Sequence, residues 1–183
     1  RILRLLNEEW QTGKFEYKVR EEKFKEQGEE MLANYFDNIK KSPPSVLETE
    51  YDFSFQIDNI TIVGTIDRID QTGDNGISIT DYKTSKTPTK AKNSLQLAIY
   101  SLYLEQSQDS MISGSPISSN LYFLRNDDDP ISMHTFDAEE LQSVKDKIVD
   151  VSMGIKNKNF KPEKGNHCNW CDYKDLSCPA WED

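Results

Sequence analysis

"ISITDYKTSK", residues 77–86, is a strand pattern that ends in charge. Strand side chains alternate between faces, so Ile77, Ile79, Asp81 and Lys83 share one side. An aspartate and a lysine at the inner edge of a sheet cost several kcal/mol unless they are paired or hold a metal. The stretch therefore predicts either an ion pair at a strand end or a metal site. Its neighbours decide between the two.

Upstream, "VLETEYDFSFQI" (46–57) alternates, with Leu47, Tyr51, Phe53, Phe55 and Ile57 on one face and Glu48, Glu50, Asp52 and Ser54 on the other. Asp58-Asn59 reads as a hairpin turn into "ITIVGTIDRID", and "QTGDNG" (71–76) turns the chain into residues 77–85. A three-strand meander follows. After Pro88, "NSLQLAIYSLYLEQ" is apolar nearly all round, as a buried helix must be. "SNLYFLR" and "ISMHTF" predict two further strands, joined by the acidic turn "NDDDP".

The flanks are helical. Residues 2–10 carry Ile2, Leu5, Leu6 and Trp10 roughly on one face, and residues 16–40 carry Phe24, Met31, Leu32, Tyr35, Phe36 and Ile39 at helical spacing. "KSPPS" (41–45) stops the second helix. Residues 137–154 predict an amphipathic helix with Leu141, Val144, Ile148 and Val151 inward. The whole predicts one α/β domain over 1–183: helices at 1–40, a mixed central sheet and helix at 45–136, the helix at 137–154, and a cysteine-containing tail at 155–183.

The 183 residues carry 22 basic and 32 acidic side chains, a net charge of −10. That excludes nucleic-acid binding by a generally basic surface. Charge is nonetheless patterned. No acidic residue falls between Tyr82 and Leu104, where Lys83, Lys86, Lys90 and Lys92 lie, and Lys156, Lys158, Lys161 and Lys164 form a second basic stretch. Two local patches could steer a phosphate backbone, or could be solvated loops. There is no apolar run of about 18 residues and no secretory signal, so no membrane association and a cytoplasmic location are expected.

Asp67 ends the second strand of the meander, Asp81 and Lys83 end the third, and Glu48 or Glu50 reaches the same place from the first. Three or four carboxylates on one point repel unless a cation sits among them. Oxygen-only ligands suit Mg²⁺ or Mn²⁺, which can polarise a phosphoryl oxygen and acidify water. Gln96 and Tyr100, at i and i+4, share a helix face and could hold Lys83 or a phosphate, or simply pack.

In this order, the glutamate, "GTIDRID", "DYKTSK" and "LQLAIYSLY" resemble the PD-(D/E)XK nuclease superfamily, most of all its RecB-like branch, including modules fused to UvrD-type helicases. The resemblance runs over essentially the whole chain. It implies a restriction-endonuclease-like core and an Mg²⁺- or Mn²⁺-dependent deoxyribonuclease. Asp67 and Asp81 would be metal ligands, the Tyr82 carbonyl would join them, and Lys83 would be catalytic. Gln96 and Tyr100 match the family's helix motif. Glu50 is preferred as the glutamate because Phe53 follows it at the family's spacing, with Glu48 open. Lys86, Lys90 and Lys92 would meet DNA.

The resemblance further implies single-stranded DNA ends as substrate, exonuclease rather than endonuclease action, a role in repair or recombination, and a helicase in the same chain or a partner subunit. A catalytically silent DNA-binding or docking module on the same fold is the alternative. Relatives also carry a metal-binding histidine at the start of the first helix, whereas His134 and His167 lie far along this chain. The expectation is therefore a histidine upstream of Arg1, and weak metal binding and slow or no cleavage without it.

Cys168, Cys171 and Cys178, spaced C-x₂-C-x₆-C, read as a metal site rather than a disulfide framework. Four ligands are needed. The resemblance to RecB-like iron–sulfur nucleases, such as AddB-like enzymes, implies a [4Fe–4S] cluster completed by a cysteine upstream of Arg1, with Zn²⁺ as the alternative.

Overall fold

The computed structural model describes residues 1–74, 76–107, 109, 112, 115–174 and 176–181. Asn75, in the predicted turn before the third strand, lies outside them. The chain packs as two units, Arg1–Val144 and Lys145–Asp183.

The first unit opens with α1 (Ile2–Glu9) and α2 (Lys18–Lys41). Among the described residues, β1 (Ser45–Ile57), β2 (Ile60–Thr72), β3 (Gly76–Lys83), β4 (Ser115–Phe123) and β5 (Ile131–His134) form one sheet in the order 1-2-3-4-5. The first three are the expected antiparallel meander. β3 and β4 are parallel, which demands a crossover, and α3 (Leu95–Gln106) supplies it. β5 returns antiparallel on β4. The mixed sheet flanked by helices is the predicted architecture.

α3 forms where the sequence is apolar on every side. Ser94 caps its N-terminus by accepting from the Leu97 N–H at 3.2 Å. Leu97, Tyr100 and Leu104 join Ile69, Ile77, Ile79, Leu121 and Phe123 in one buried cluster. Burying a leucine such as Leu97 contributes about 1.5–3 kcal/mol. The polar exception, Ser101, bonds the Leu97 carbonyl at 2.9 Å and Ser119 of β4 at 2.8 Å, so its hydroxyl is satisfied.

The opposite face of the sheet meets α2. There Tyr35 packs edge-on against Tyr82 and Tyr122, and its hydroxyl meets the Tyr82 hydroxyl at 2.6 Å. α1 and α2 bury less than their patterns predict. No residue of either is fully buried, and Leu5, Phe24 and Phe36 are exposed.

Gly64 is a packing requirement. A Cβ there would lie 2.7 Å from Cζ of Phe53, whose buried ring stacks on Tyr103. Gly64→Ala must displace that ring, an overpacking cost of about 1–3 kcal/mol. Urea denaturation should show the loss, and a wild-type midpoint would contradict the packing described.

α4 (Ala138–Lys156) begins in the first unit, where Leu141 is its buried residue. The expected inward position of Val151 is corrected: it is 54% exposed. Among the described residues no helix is long and apolar enough to cross a membrane.

Candidate active site

β3 does what its sequence predicts. Asp81 is 2% exposed, and Lys83, two residues on, lies on the same face toward α3. The Lys83 Nζ stands 2.6 Å from Asp81 Oδ2 and donates to Gln96 Oε1 at 2.9 Å. Gln96 Nε2 donates to the Tyr100 hydroxyl at 2.6 Å, which donates to the Thr65 carbonyl at 2.8 Å. This chain fixes which end of the Gln96 amide faces the lysine, so Lys83 is offered an acceptor.

Asp67 enters from β2. The pairing of Arg68 with Thr80 puts it across from Asp81, and its Oδ2 accepts the Tyr82 N–H at 2.8 Å. Burial pushes the Asp81 carboxyl above its ordinary pKa; the Lys83 ammonium opposes the rise and the Asp67 charge adds to it. The Lys83 ammonium, at 2.6 Å, is the partner of Asp81 Oδ2. A buried carboxylate facing a second carboxylate is suited to a cation.

Glu50 arrives by an irregularity. The β1–β2 ladder skips Glu50 and Asp67, which stand across from each other between the pairs Thr49–Arg68 and Tyr51–Ile66. Glu50 has φ +49°, a conformation that costs a non-glycine residue about 1–3 kcal/mol and gathers at functional sites. Its charge reaches the site. The Tyr100 hydroxyl is raised in pKa by burial, lowered by Gln96, and raised again by Asp81, Asp67 and Glu50.

Among the described residues, no three of His, Cys, Asp and Glu are gathered to hold an ion. The expected convergence of three or four carboxylates is corrected accordingly. Asp67 and Asp81 come together, Lys83 occupies the place beside Asp81, and Glu50 is exposed on the kinked strand. Lys86, Lys90 and Lys92 are exposed around the loop that leaves β3.

In the second unit, Cys168 is buried and its Sγ accepts the Gly165 N–H at 3.4 Å, while Cys171 and Cys178 are half-buried. None forms a disulfide. The three thiols are not drawn together, so as placed they do not fit an iron–sulfur cluster or zinc.

A family model describing the PD-(D/E)XK nuclease superfamily matches residues 1–179, and therefore covers sheet, site and tail together. The chain belongs to the PD-(D/E)XK nuclease superfamily. No curated protein matches the chain. For a PD-(D/E)XK nuclease the divalent ion is Mg²⁺ or Mn²⁺, and the residues present fit one. Mg²⁺ takes one or two carboxylates and fills its remaining positions with water and phosphate oxygens. Asp67 and the buried Asp81, which stand across from each other on β2 and β3, make that donor set.

Sequence reasoning missed the Thr65 carbonyl, which anchors the Tyr100 hydroxyl and leaves no side-chain signal. It also left Arg68 and Asp70 unassigned. They share a face at i and i+2 and form a buried ion pair at 2.9 Å, a relation the D-R-x-D spacing contained.

Proposed function

We propose that this PD-(D/E)XK nuclease is a divalent-metal-dependent deoxyribonuclease acting on single-stranded DNA ends, working with a helicase in repair or recombination. The observation that carries the catalytic part is the linked set Asp67, Asp81, Lys83, Gln96 and Tyr100, with the buried Asp81 carboxyl at its centre. Asp67, Asp81 and the Tyr82 carbonyl would hold Mg²⁺ or Mn²⁺, which supplies charge stabilisation for a phosphoryl oxygen and acidifies water. Lys83 then holds the attacking water and takes part in moving its proton. Gln96 keeps the ammonium pointed into the site. Glu50 is the third carboxylate, able to enter when the cation draws it in. Lys86, Lys90 and Lys92 hold the strand by its phosphates, in a stretch free of acidic side chains.

End preference is the finer part of this proposal. Linear single-stranded, linear duplex and circular single-stranded DNA, compared with Mg²⁺ and with Mn²⁺, test it. Cleavage confined to linear single strands supports it, and equal attack on circles would mean an endonuclease. DNA binding without cleavage under any metal would favour the silent docking module.

Gln96→Ala leaves the Lys83 ammonium without its neutral acceptor. A misplaced catalytic group costs up to about 100-fold in rate, so the single-turnover rate should fall by about that much with oligonucleotide affinity unchanged. An unchanged rate would remove Gln96 from the site. The cysteines are a separate matter within this reading. Cys168, Cys171 and Cys178 would have to close together to hold a [4Fe–4S] cluster or Zn²⁺, which metal analysis of anaerobically purified protein tests.

A further inference from the structure

The pairing of β2 with β3 stops one step short of the two aspartates. Its register runs from Thr72–Gly76 to Arg68–Thr80, and Asp67 and Asp81 stand just beyond that end. Backbone pairing between the two strands therefore does not set the gap between the carboxylates. Two carboxylates facing each other repel, which favours a wider gap when no cation lies between them. Something other than the ladder has to hold the strands together here.

Side chains on the opposite face do so. Strand alternation sends Arg68, next to Asp67, and Tyr82, next to Asp81, to the face that meets α2. The Arg68 guanidinium lies 5.5 Å from the centre of the Tyr82 ring and donates to the Tyr82 hydroxyl. The same nitrogen donates to the Tyr35 hydroxyl of α2 at 3.0 Å, and the two tyrosine hydroxyls meet at 2.6 Å. At its other edge the guanidinium is anchored by Asp70 Oδ2 at 2.9 Å and by Thr80 Oγ1 at 3.3 Å. The Arg68 side chain is 12% exposed. A planar fork of donors meets all these partners at once, which an ammonium cannot. A buried ion pair is by itself weak evidence for stability, so the informative feature is its position. It grips β3 from β2 where the ladder has ended.

We propose that Arg68 is a positioning residue for the divalent ion: by holding Tyr82 from behind the sheet, it sets the gap between Asp67 and Asp81. The same grip presents the Tyr82 N–H to Asp67 Oδ2, at 2.8 Å, and fixes the direction of the Tyr82 carbonyl. Arg68 acts through Tyr82, since its own side chain lies on the face away from the carboxylates. The proposal rests on the reading that Asp67 and Asp81 hold the ion. Partners that orient metal ligands from outside are worth about 10- to 100-fold in metal affinity.

Titration with Mn²⁺, read by the paramagnetic resonance of the free ion, tests this in wild type, Asp67→Asn, Tyr82→Phe and Arg68→Lys. Tyr82→Phe removes one hydroxyl, keeps the ring beside Tyr35 and Tyr122, and leaves Arg68 the Tyr35 oxygen as acceptor. Arg68→Ala would strand the charge of Asp70, which is 6% exposed, so lysine is used to keep a cation there without the fork. Mn²⁺ affinity should fall about tenfold or more in Tyr82→Phe and in Arg68→Lys, with wild-type circular dichroism in the metal-free proteins. A merely structural role would lower the melting midpoint and leave the Mn²⁺ affinity of the folded protein at the wild-type value. That result in either variant overturns the proposal, and Tyr82→Phe decides alone if Arg68→Lys does not fold. Asp67→Asn separates the two layers. Undiminished affinity there removes the metal reading and this proposal with it, whereas loss there beside wild-type affinity in Tyr82→Phe removes the positioning role alone.

Discussion

Lys83→Ala is expected to reduce metal-dependent DNA cleavage by about 1,000-fold while leaving oligonucleotide affinity nearly unchanged. The expectation rests on where the ammonium sits. It is held 2.6 Å from Asp81 and 2.9 Å from Gln96, in a side chain 33% exposed, so it is fixed at one end and open to substrate at the other. Proton transfer by a positioned group is worth about 100- to 10,000-fold, and alanine removes both the proton path and the charge. Binding survives because Lys86, Lys90 and Lys92 are separate from the catalytic chain. Single-turnover cleavage beside a filter-binding assay checks both halves. Undiminished cleavage would take Lys83 out of the mechanism, and loss of binding in step with cleavage would make it a strand-holding residue only.

Asp81→Asn carries the second large effect, and its sign differs between activity and stability. The amide is a poor ligand for a hard divalent ion, so cleavage should fall below detection. Stability without metal should rise. The Asp81 carboxyl has a raised pKa because burial disfavours its charge. Between the unfolded pKa and this raised folded value the native state holds more protons than the unfolded state, so wild-type stability falls as pH rises through that window. Asparagine cannot ionise and loses this dependence. The stability advantage of Asp81→Asn should therefore grow from acidic toward neutral pH, as thermal melts at several pH values with EDTA would show. A variant less stable than wild type at neutral pH would mean that the Lys83 contact outweighs the burial of charge.

Much of this was readable from residue order. Period-two alternation located β1 because one of its faces is the more buried, β3 was located by its apolar run although both of its faces are buried, and an all-round apolar stretch located α3 because it is covered on several sides. Asp81 and Lys83 could be placed together because strand geometry leaves i and i+2 no choice. Gln96 and Tyr100 followed from helix geometry in the same way. Other features depend on irregular backbone or on tertiary contact. Glu50 stands across from Asp67 at a position of positive φ that no residue type announces at a glutamate. The gathering of carboxylates was overestimated, because sequence gives the strand but not how far the exposed Glu50 stands from Asp67 and Asp81. Val151 was misplaced because amphipathic periodicity says which residues share a face, not how far along the helix that face is covered. The Arg68–Asp70 pair was legible as spacing.

The central claim is that Asp67 and Asp81 jointly hold a divalent ion at the end of β3. Titration of the protein with Mn²⁺, read by the loss of the free-ion paramagnetic resonance signal, tests it without requiring turnover. The account predicts saturable binding by wild type and an affinity about tenfold or more weaker in both Asp67→Asn and Asp81→Asn. Mn²⁺ affinity equal to wild type in either variant would contradict it.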